Sequence, residues 1–266
     1  MYKAQLLEFK NKKGNLIRGV FIGPKKFIKC VIFIHGFEGT SSTDKKFKVI
    51  SEKLAEKNIA SLRLDSEGCG LSGGDFKNMT VKNQAEELSL VIKKINCKNI
   101  SIVTHSLGAC IVTEYLKNNE NIFGNIILFS PALNQRDLLR YWFVKSSNKN
   151  NGILWKNYKN YLNEKDFQKN YKKKSLLTKE NYFPYNYFKE NQNKDYSEKF
   201  NINENVLYII GDKDDVTPTE SVTIKFKNKI IVKGGDHDLR RPDMEKQYLN
   251  KVIKFINDRC ASVIRK

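Results

Sequence analysis

The segment Ile100-Ser101-Ile102-Val103-Thr104-His105-Ser106-Leu107-Gly108 joins two kinds of pattern. Its first four residues form a short, nearly continuous apolar run, the form expected of a strand buried on both faces. Beyond it, Ala109 to Leu116 is an apolar stretch that reads as a helix. A serine on a sharp strand-to-helix turn has its hydroxyl lifted above the sheet and a helix N-terminus beneath it, the context that a nucleophilic serine requires. The turn follows G-x-S-x-G except that Thr104 replaces the first glycine, where the strained backbone asks for a small residue. A serine-glycine turn after a strand is common, so this segment needs support from the rest of the chain.

Outward from it the rhythm repeats. Short apolar runs lie at Cys30 to Ile34, Ala60 to Leu64, Ile126 to Phe129, Val206 to Ile210 and Lys229 to Val232. Between them, Phe47, Ile50, Leu54 and Ala55 share one face at 3.6-residue spacing, as do Leu88, Val91, Ile92 and Ile95, and then Tyr248, Val252, Phe255 and Ile256. Alternating buried strands and amphipathic helices predict an α/β fold, a mostly parallel sheet with helices on both faces joined by right-handed crossovers. At the N-terminus, Ala4 to Phe9 and Leu16 to Ile22 flank the turn residues Asn11-Lys12-Lys13-Gly14, which predicts a β-hairpin.

One segment breaks the alternation. From Gln135 to Phe200 there is no buried-strand run, and roughly half of the aromatic residues fall here, among them Tyr141, Trp142, Phe143, Trp155, Tyr158, Tyr161, Tyr182, Phe183, Tyr185, Tyr187 and Phe188. The chain is therefore divided into a core of residues 1–134 and 201–266 and an insertion of residues 135–200. Most of these aromatics are expected to form the insertion's own core, with a few facing substrate. Ser146 to Asn151 reads as a mobile loop.

The chain has 266 residues, 40% hydrophobic and 29% charged, which describes a globular protein able to bury a sizeable core. Its net charge of +19 admits an anionic partner or a compositional bias. The lysines are spread from end to end and match no nucleic-acid motif, which favours a solvated surface and no nucleic-acid partner. Five scattered cysteines, Cys30, Cys69, Cys97, Cys110 and Cys260, form no CxxC pair, so neither disulfides nor a zinc site is expected and a reducing cytoplasm fits. The N-terminus lacks an uninterrupted apolar core, so neither a signal peptide nor a membrane span is expected. With no P-loop, no nucleotide-binding glycine fingerprint and no ligand cluster, no cofactor and no metal is implied.

Three further segments agree with Ser106. His35-Gly36-Phe37-Glu38-Gly39 follows the run Cys30 to Ile34, where a glycine-rich turn can aim a backbone N–H at a reacting carbonyl oxygen. The N–H groups of Phe37 and Leu107 would then form an oxyanion hole, each donor contributing about 3 kcal/mol in the transition state. His35 itself is expected to shape this turn by hydrogen bonding. Gly211-Asp212-Lys213-Asp214-Asp215-Val216-Thr217-Pro218 follows another run; Asp214 is the first choice as the acid, then Asp215, then Asp212. Gly234-Gly235-Asp236-His237-Asp238 follows the last run, and His237 is the only histidine downstream of a candidate acid. The order Ser, Asp, His, each member in a loop after a strand, predicts Ser106 as nucleophile, His237 as general base and Asp214 as the group orienting the imidazole.

These stretches, together with RLDSEGCGLSGG at Arg63 to Gly74 and DFKNMT after it, resemble the α/β-hydrolase superfamily over nearly the whole chain, and more narrowly its small acyl esterases of the cinnamoyl or feruloyl type. In such proteins a cap between the sixth and seventh strands covers the nucleophile, which implies the same for residues 135–200. Cys69 and Thr104 depart from the residues usual at their positions, and GGDHDLRRP is also similar to acyl thioesterase-like hydrolases. The resemblance implies hydrolysis of a small ester or thioester, with aromatic and anionic substrates both open; an amidase or peptidase uses the same triad. A contrasting expectation is a non-catalytic relative that binds an anionic partner through its basic surface. Oligomeric state, a homodimer included, is left open.

Overall fold

The computed structural model describes residues 2–37, 39–147, 152–173, 183–197 and 205–258. Glu38, Tyr182, Cys260, most of the loop expected at Ser146 to Asn151 and the last residues of the expected insertion lie outside them. The strands are β1 (Gln5–Lys10), β2 (Leu16–Ile22), β3 (Lys29–Ile34), β4 (Ala60–Asp65), β5 (Asn99–His105), β6 (Phe123–Phe129), β7 (Val206–Gly211) and β8 (Asn228–Val232). The helices are α1 (Lys45–Ala55), α2 (Val81–Ile95), α3 (Gly108–Asn118), α4 (Gln135–Ser147), α5 (Glu164–Lys173), α6 (Tyr185–Asn191) and α7 (Pro242–Asp258). One sheet has the order β1-β2-β4-β3-β5-β6-β7-β8. β2 pairs antiparallel with β1 and β4, and every other pairing is parallel.

The hairpin forms where turn chemistry sits: Gly14 has φ +85°, and the Gly14 N–H bonds the Asn11 carbonyl at 2.9 Å. Strands β3 to β7 follow from their apolar runs, because side chains alternate between two covered faces, whereas the expected run Lys229 to Val232 forms the edge strand β8 with Lys229 and Ile231 exposed. On β3, Val31 and Phe33 meet Phe47, Ile50 and Leu54 of α1 and Tyr248, Val252 and Ile256 of α7. Cys30, Ile32 and Ile34 face the other way, toward Leu88 and Val91 of α2 and Ile111 and Val112 of α3. Helix starts are set by short polar side chains: Asp44 accepts the Phe47 N–H and Thr80 accepts the Asn83 N–H. α2 stops at Asn96, which takes the left-handed conformation with φ 47°.

Between β6 and β7 the described residues carry only helices, α4 to α6 and a helical turn at Tyr158–Tyr161. Their aromatics stack edge to face, Tyr141 on Trp155 and Tyr158, and Phe143 on Phe167, which in turn meets Phe188. They do not form a separate core: Leu139, Tyr141, Phe167 and Tyr187 belong to one buried cluster with the α2 and α3 face of the sheet. Polar contacts tie the same segment to the core, with Glu190 of α6 accepting from the first amides of α2, Val81 at 2.6 Å and Lys82 at 3.0 Å. A carboxylate at a helix N-terminus is favoured by the unpaired N–H groups and the dipole there.

Candidate active site

Parallel strands deliver their C-terminal loops to one rim, where β3 and β5 are neighbours, β7 and β8 are neighbours, and β6 separates the two pairs. His35 to Phe37, Ser106, Asp214 and His237 lie in the loops after β3, β5, β7 and β8.

Ser106 follows β5 in the left-handed region with φ 51°, a conformation that costs a non-glycine residue on the order of 1 kcal/mol or more. The turn is held by its surroundings. The Ser106 N–H bonds the Phe129 carbonyl at 2.9 Å, and the Ser106 carbonyl accepts from Ala132 at 3.1 Å. Glycine is demanded next to it, because a Cβ on Gly108 would lie 2.7 Å from the Ile34 carbonyl oxygen. Thr104, by contrast, is accommodated: it is fully buried on β5 and its hydroxyl approaches the Ile127 carbonyl at 3.4 Å.

Asp214 and His237 are joined directly. The His237 Nδ1 lies 2.9 Å from Oδ2 and 3.1 Å from Oδ1 of Asp214. A carboxylate accepts, so Nδ1 carries the proton and Nε2 of the neutral ring keeps its lone pair. Asp214 also accepts the N–H groups of Val216 at 3.0 Å and Thr217 at 2.8 Å, and the Thr217 hydroxyl at 2.9 Å. Burial works to raise its pKa, but the His237 ring and the Thr217 donors prevail and hold it below the usual carboxylate range. The neighbouring aspartates go elsewhere: Asp215 is exposed and pairs with Lys145 at 2.9 Å, and Asp212 is exposed.

The other two histidines are occupied. His35 donates from Nδ1 to the Gly36 carbonyl at 2.7 Å and accepts the Ser66 N–H on Nε2 at 3.0 Å. Burial lowers its pKa, so it is neutral and both nitrogens are spent on the turn, the role the sequence suggests for it. His105 donates from Nε2 to the backbone carbonyl of His237 at 3.0 Å.

Ser106 and His237 line the same cavity of about 320 Å³. Among the described residues neither the Ser106 hydroxyl nor the His237 Nε2 makes a hydrogen bond, to each other or elsewhere. Such contacts are often long in the absence of substrate. Likewise the N–H groups of Phe37 and Leu107 have no acceptor within the described protein. Gly36 permits the two loops to meet, since a Cβ there would sit 3.0 Å from that of Ser106. The cavity lining includes the apolar Trp142, Phe183 and Val216 and the charged Asp44, Asp238 and Arg240. A second cavity of about 330 Å³ lies over Glu67 and Glu87, away from all three histidines. Among the described residues no cluster of three or more His, Cys, Asp or Glu side chains could hold a metal ion, and no helix is long and apolar enough to cross a membrane.

Sequence reasoning left Thr217, His105, Asp44 and Arg240 without a part in the site. Thr217 stands in a segment already singled out, but its contacts with Asp214 arise from the fold of that turn. His105 and its partner His237 are 132 positions apart, and no local pattern links them.

The comparisons with known proteins agree with this architecture. Over 232 residues the chain is 27% identical to a Mycoplasma genitalium protein named provisionally as esterase/lipase 3, covering 82% of this chain and 80% of that one. Among solved structures, the Butyrivibrio proteoclasticus esterase Est1E with bound ferulic acid superposes over all of both chains with a TM-score of 0.69 at 21% identity. Mouse α/β-hydrolase domain-containing protein 10 covers 98% of this chain and 100% of its own, with a TM-score of 0.69 at 17% identity. An Exiguobacterium antarcticum esterase covers 94% and 98%, with a TM-score of 0.64 at 17% identity. Residues 25–230 match the family model described as "Serine aminopeptidase, S33", and the chain thus belongs to that family of α/β hydrolases.

Proposed function

We propose that the chain is a serine-dependent carboxylic ester hydrolase acting through an acyl-enzyme. The observation that carries this reading is the direct Asp214–His237 contact on the rim of the cavity that also holds a strained Ser106. Ser106 Oγ bonds the acyl carbon while its proton passes to His237 Nε2. The carbonyl oxygen becomes an oxyanion that accepts from the N–H groups of Phe37 and Leu107. The bond to the leaving group breaks, and His237 returns the proton to the departing oxygen. Water then attacks the acyl-enzyme with His237 as base, and Ser106 is regenerated. Asp214 stays ionised throughout, fixing the tautomer and stabilising the imidazolium.

The segment 135–200 acts as a cap whose aromatic residues, with Trp142 and Phe183 lining the cavity, admit a small acyl ester or thioester. The +19 charge belongs to a solvated surface, and the enzyme works in the cytoplasm without a cofactor. Ser106→Ala tests the assignment: turnover of p-nitrophenyl acetate is lost by about 10⁴-fold or more with folding intact, and fluorophosphonate labelling disappears. Undiminished hydrolysis by that variant rejects the reading.

A second reading is amide hydrolysis, favoured by the description of the family as serine aminopeptidases. The two are separated by comparing kcat/KM on matched ester and anilide substrates of one acyl group. A larger value on the anilide makes the protein an amidase with the same three residues.

A further inference from the structure

His105 precedes the candidate nucleophile and touches two of the other loops at the rim, those after β3 and β8. Its Nε2–H donates to the His237 carbonyl at 3.0 Å, and its ring lies on the His237 imidazole, with centroids 4.8 Å apart at 45°. On its other side Nδ1 abuts Gly36, where a Cβ would come within 3.4 Å. The side chain is buried, at 7% exposure for the residue, so it is a wedge between the loop after β3 and the loop after β8.

The His237 loop needs such a fastening. His237 follows a glycine pair, Gly234 has φ +67°, and Leu239 just beyond it has φ +53°, so the backbone on both sides of His237 is irregular. Its imidazole is held from one end by Asp214, which fixes the ring nitrogen that bears the proton. The Thr217 hydroxyl lies 3.2 Å from the same nitrogen, and both contacts act on the ring, not on the backbone from which it projects. A tether on the same residue's carbonyl restrains that backbone, and the His105 ring against the imidazole restrains its swing.

We propose that His105 is a positioning residue for His237: its Nε2–H bond to the His237 carbonyl and its ring contact hold the imidazole in the orientation that meets Ser106. The proposal rests on the triad reading above. It requires His105 to remain a donor and not to become a second cation beside an imidazolium. Burial, then the nearby Lys46 ammonium and His237, keep His105 well below the usual histidine range, so it stays neutral while His237 cycles. Lys46 is itself fully buried and held by Asp44 at 3.0 Å, behind the cavity wall.

The test compares His105→Leu, which keeps bulk and removes the donor, with His105→Gln, whose amide N–H reaches the place of Nε2. Both are assayed in the full chain on p-nitrophenyl acetate, beside fluorophosphonate labelling of the parent protein. In the Leu variant kcat falls about 100-fold with KM within about 3-fold, the scale of an ångström-level misplacement. The Gln variant recovers to within about 5-fold of the parent. A folded Leu variant with unchanged kcat, a loss confined to KM, or a Gln variant no better than Leu overturns the proposal. If the Leu variant does not fold, His105→Asn replaces it, because its shorter amide cannot reach the His237 carbonyl; Asn matching Gln then overturns the proposal. A parent that is neither active nor labelled condemns the triad reading and this inference together, whereas an active, labelled parent with indifferent variants condemns the role of His105 alone.

Discussion

The rim of the sheet and the helical segment above it bury their side chains by different means. At the rim, polar groups are fixed one by one: Asp214 accepts from His237, Val216 and Thr217, and both nitrogens of His35 are bound. The segment from α4 to α6 adds ring-on-ring contacts to its polar ones, and some of its polar anchors reach main-chain atoms at the rim. Tyr141 donates to the Asp215 carbonyl at 3.1 Å, and Trp142 donates to the Val216 carbonyl at 2.7 Å. Directional bonds hold atoms to within tenths of an ångström, whereas ring contacts tolerate repacking. On the proposed reading, chemistry that needs fixed geometry falls to the rim and the choice of acyl group to the aromatic side. Phe37 joins the two, because its N–H lies in the rim loop while its ring stacks on Phe183 at 4.5 Å.

The largest expected effect breaks this contrast at the rim. Asp214→Asn preserves shape but lets the His237 ring adopt the wrong tautomer, and kcat on p-nitrophenyl acetate is expected to fall about 10⁴-fold. Asp215→Asn, one position along, removes an exposed pair with Lys145 and is expected to leave kcat within about 2-fold, since exposed pairs contribute little. Equal losses in the two variants would show that the turn as a whole, and not one carboxylate, supports the site.

A smaller effect is expected from the aromatic side. Phe183→Ala removes the ring stacked on Phe37 and lining the cavity. An aromatic pair is worth about 1 kcal/mol beyond its area, so KM for aryl-acyl esters should rise about 5- to 10-fold while acetyl esters change less. A uniform fall of kcat across acyl groups would mean that Phe183 supports the oxyanion loop and not the choice of substrate.

How much of this was legible in the sequence follows the same division. Strands β3 to β7 could be read because a strand covered on both faces is a nearly continuous apolar run, β8 from a shorter run although it is covered on one face only, and the hairpin because Asn11 to Gly14 spells a turn. Ser106 and His237 could be read from their places after such runs. The segment after Gln135 could not be resolved into α4, α5 and α6, since aromatics interleaved with lysines give no clean stripe at 3.6-residue spacing. Sequence ranked Asp214 above Asp215 and Asp212 by its place in the turn, but the contact with His237 that distinguishes the three arises only in the folded backbone. His105 was hidden for a further reason: its partner is a main-chain carbonyl, which leaves no mark on residue type.

Burial alone does not decide how a carboxyl group behaves, and a second acid beneath the rim sharpens the point. Glu87 on α2 is as buried as Asp214, but it faces the Glu67 N–H at 3.2 Å and an Asn11 amide at 3.4 Å instead of an imidazole. Burial pushes its carboxyl up to about 7 from an ordinary 4.5, against those two donors and the nearby Lys13, with the Glu67 charge adding to the rise. Between those two pH values the folded protein holds a proton that the unfolded chain has released. Stability contributed by neutral Glu87 is therefore present at low pH and is lost as the pH rises through this window, by on the order of 3 kcal/mol in all. Glu87→Gln removes the exchange, so the variant should show a flatter dependence of Tm on pH and exceed the parent above about pH 7, with ester hydrolysis unchanged. Parallel Tm curves for the two proteins would mean that Glu87 ionises as freely in the fold as outside it, and that the contrast between a paired acid at the rim and an unpaired one below is not felt in the stability.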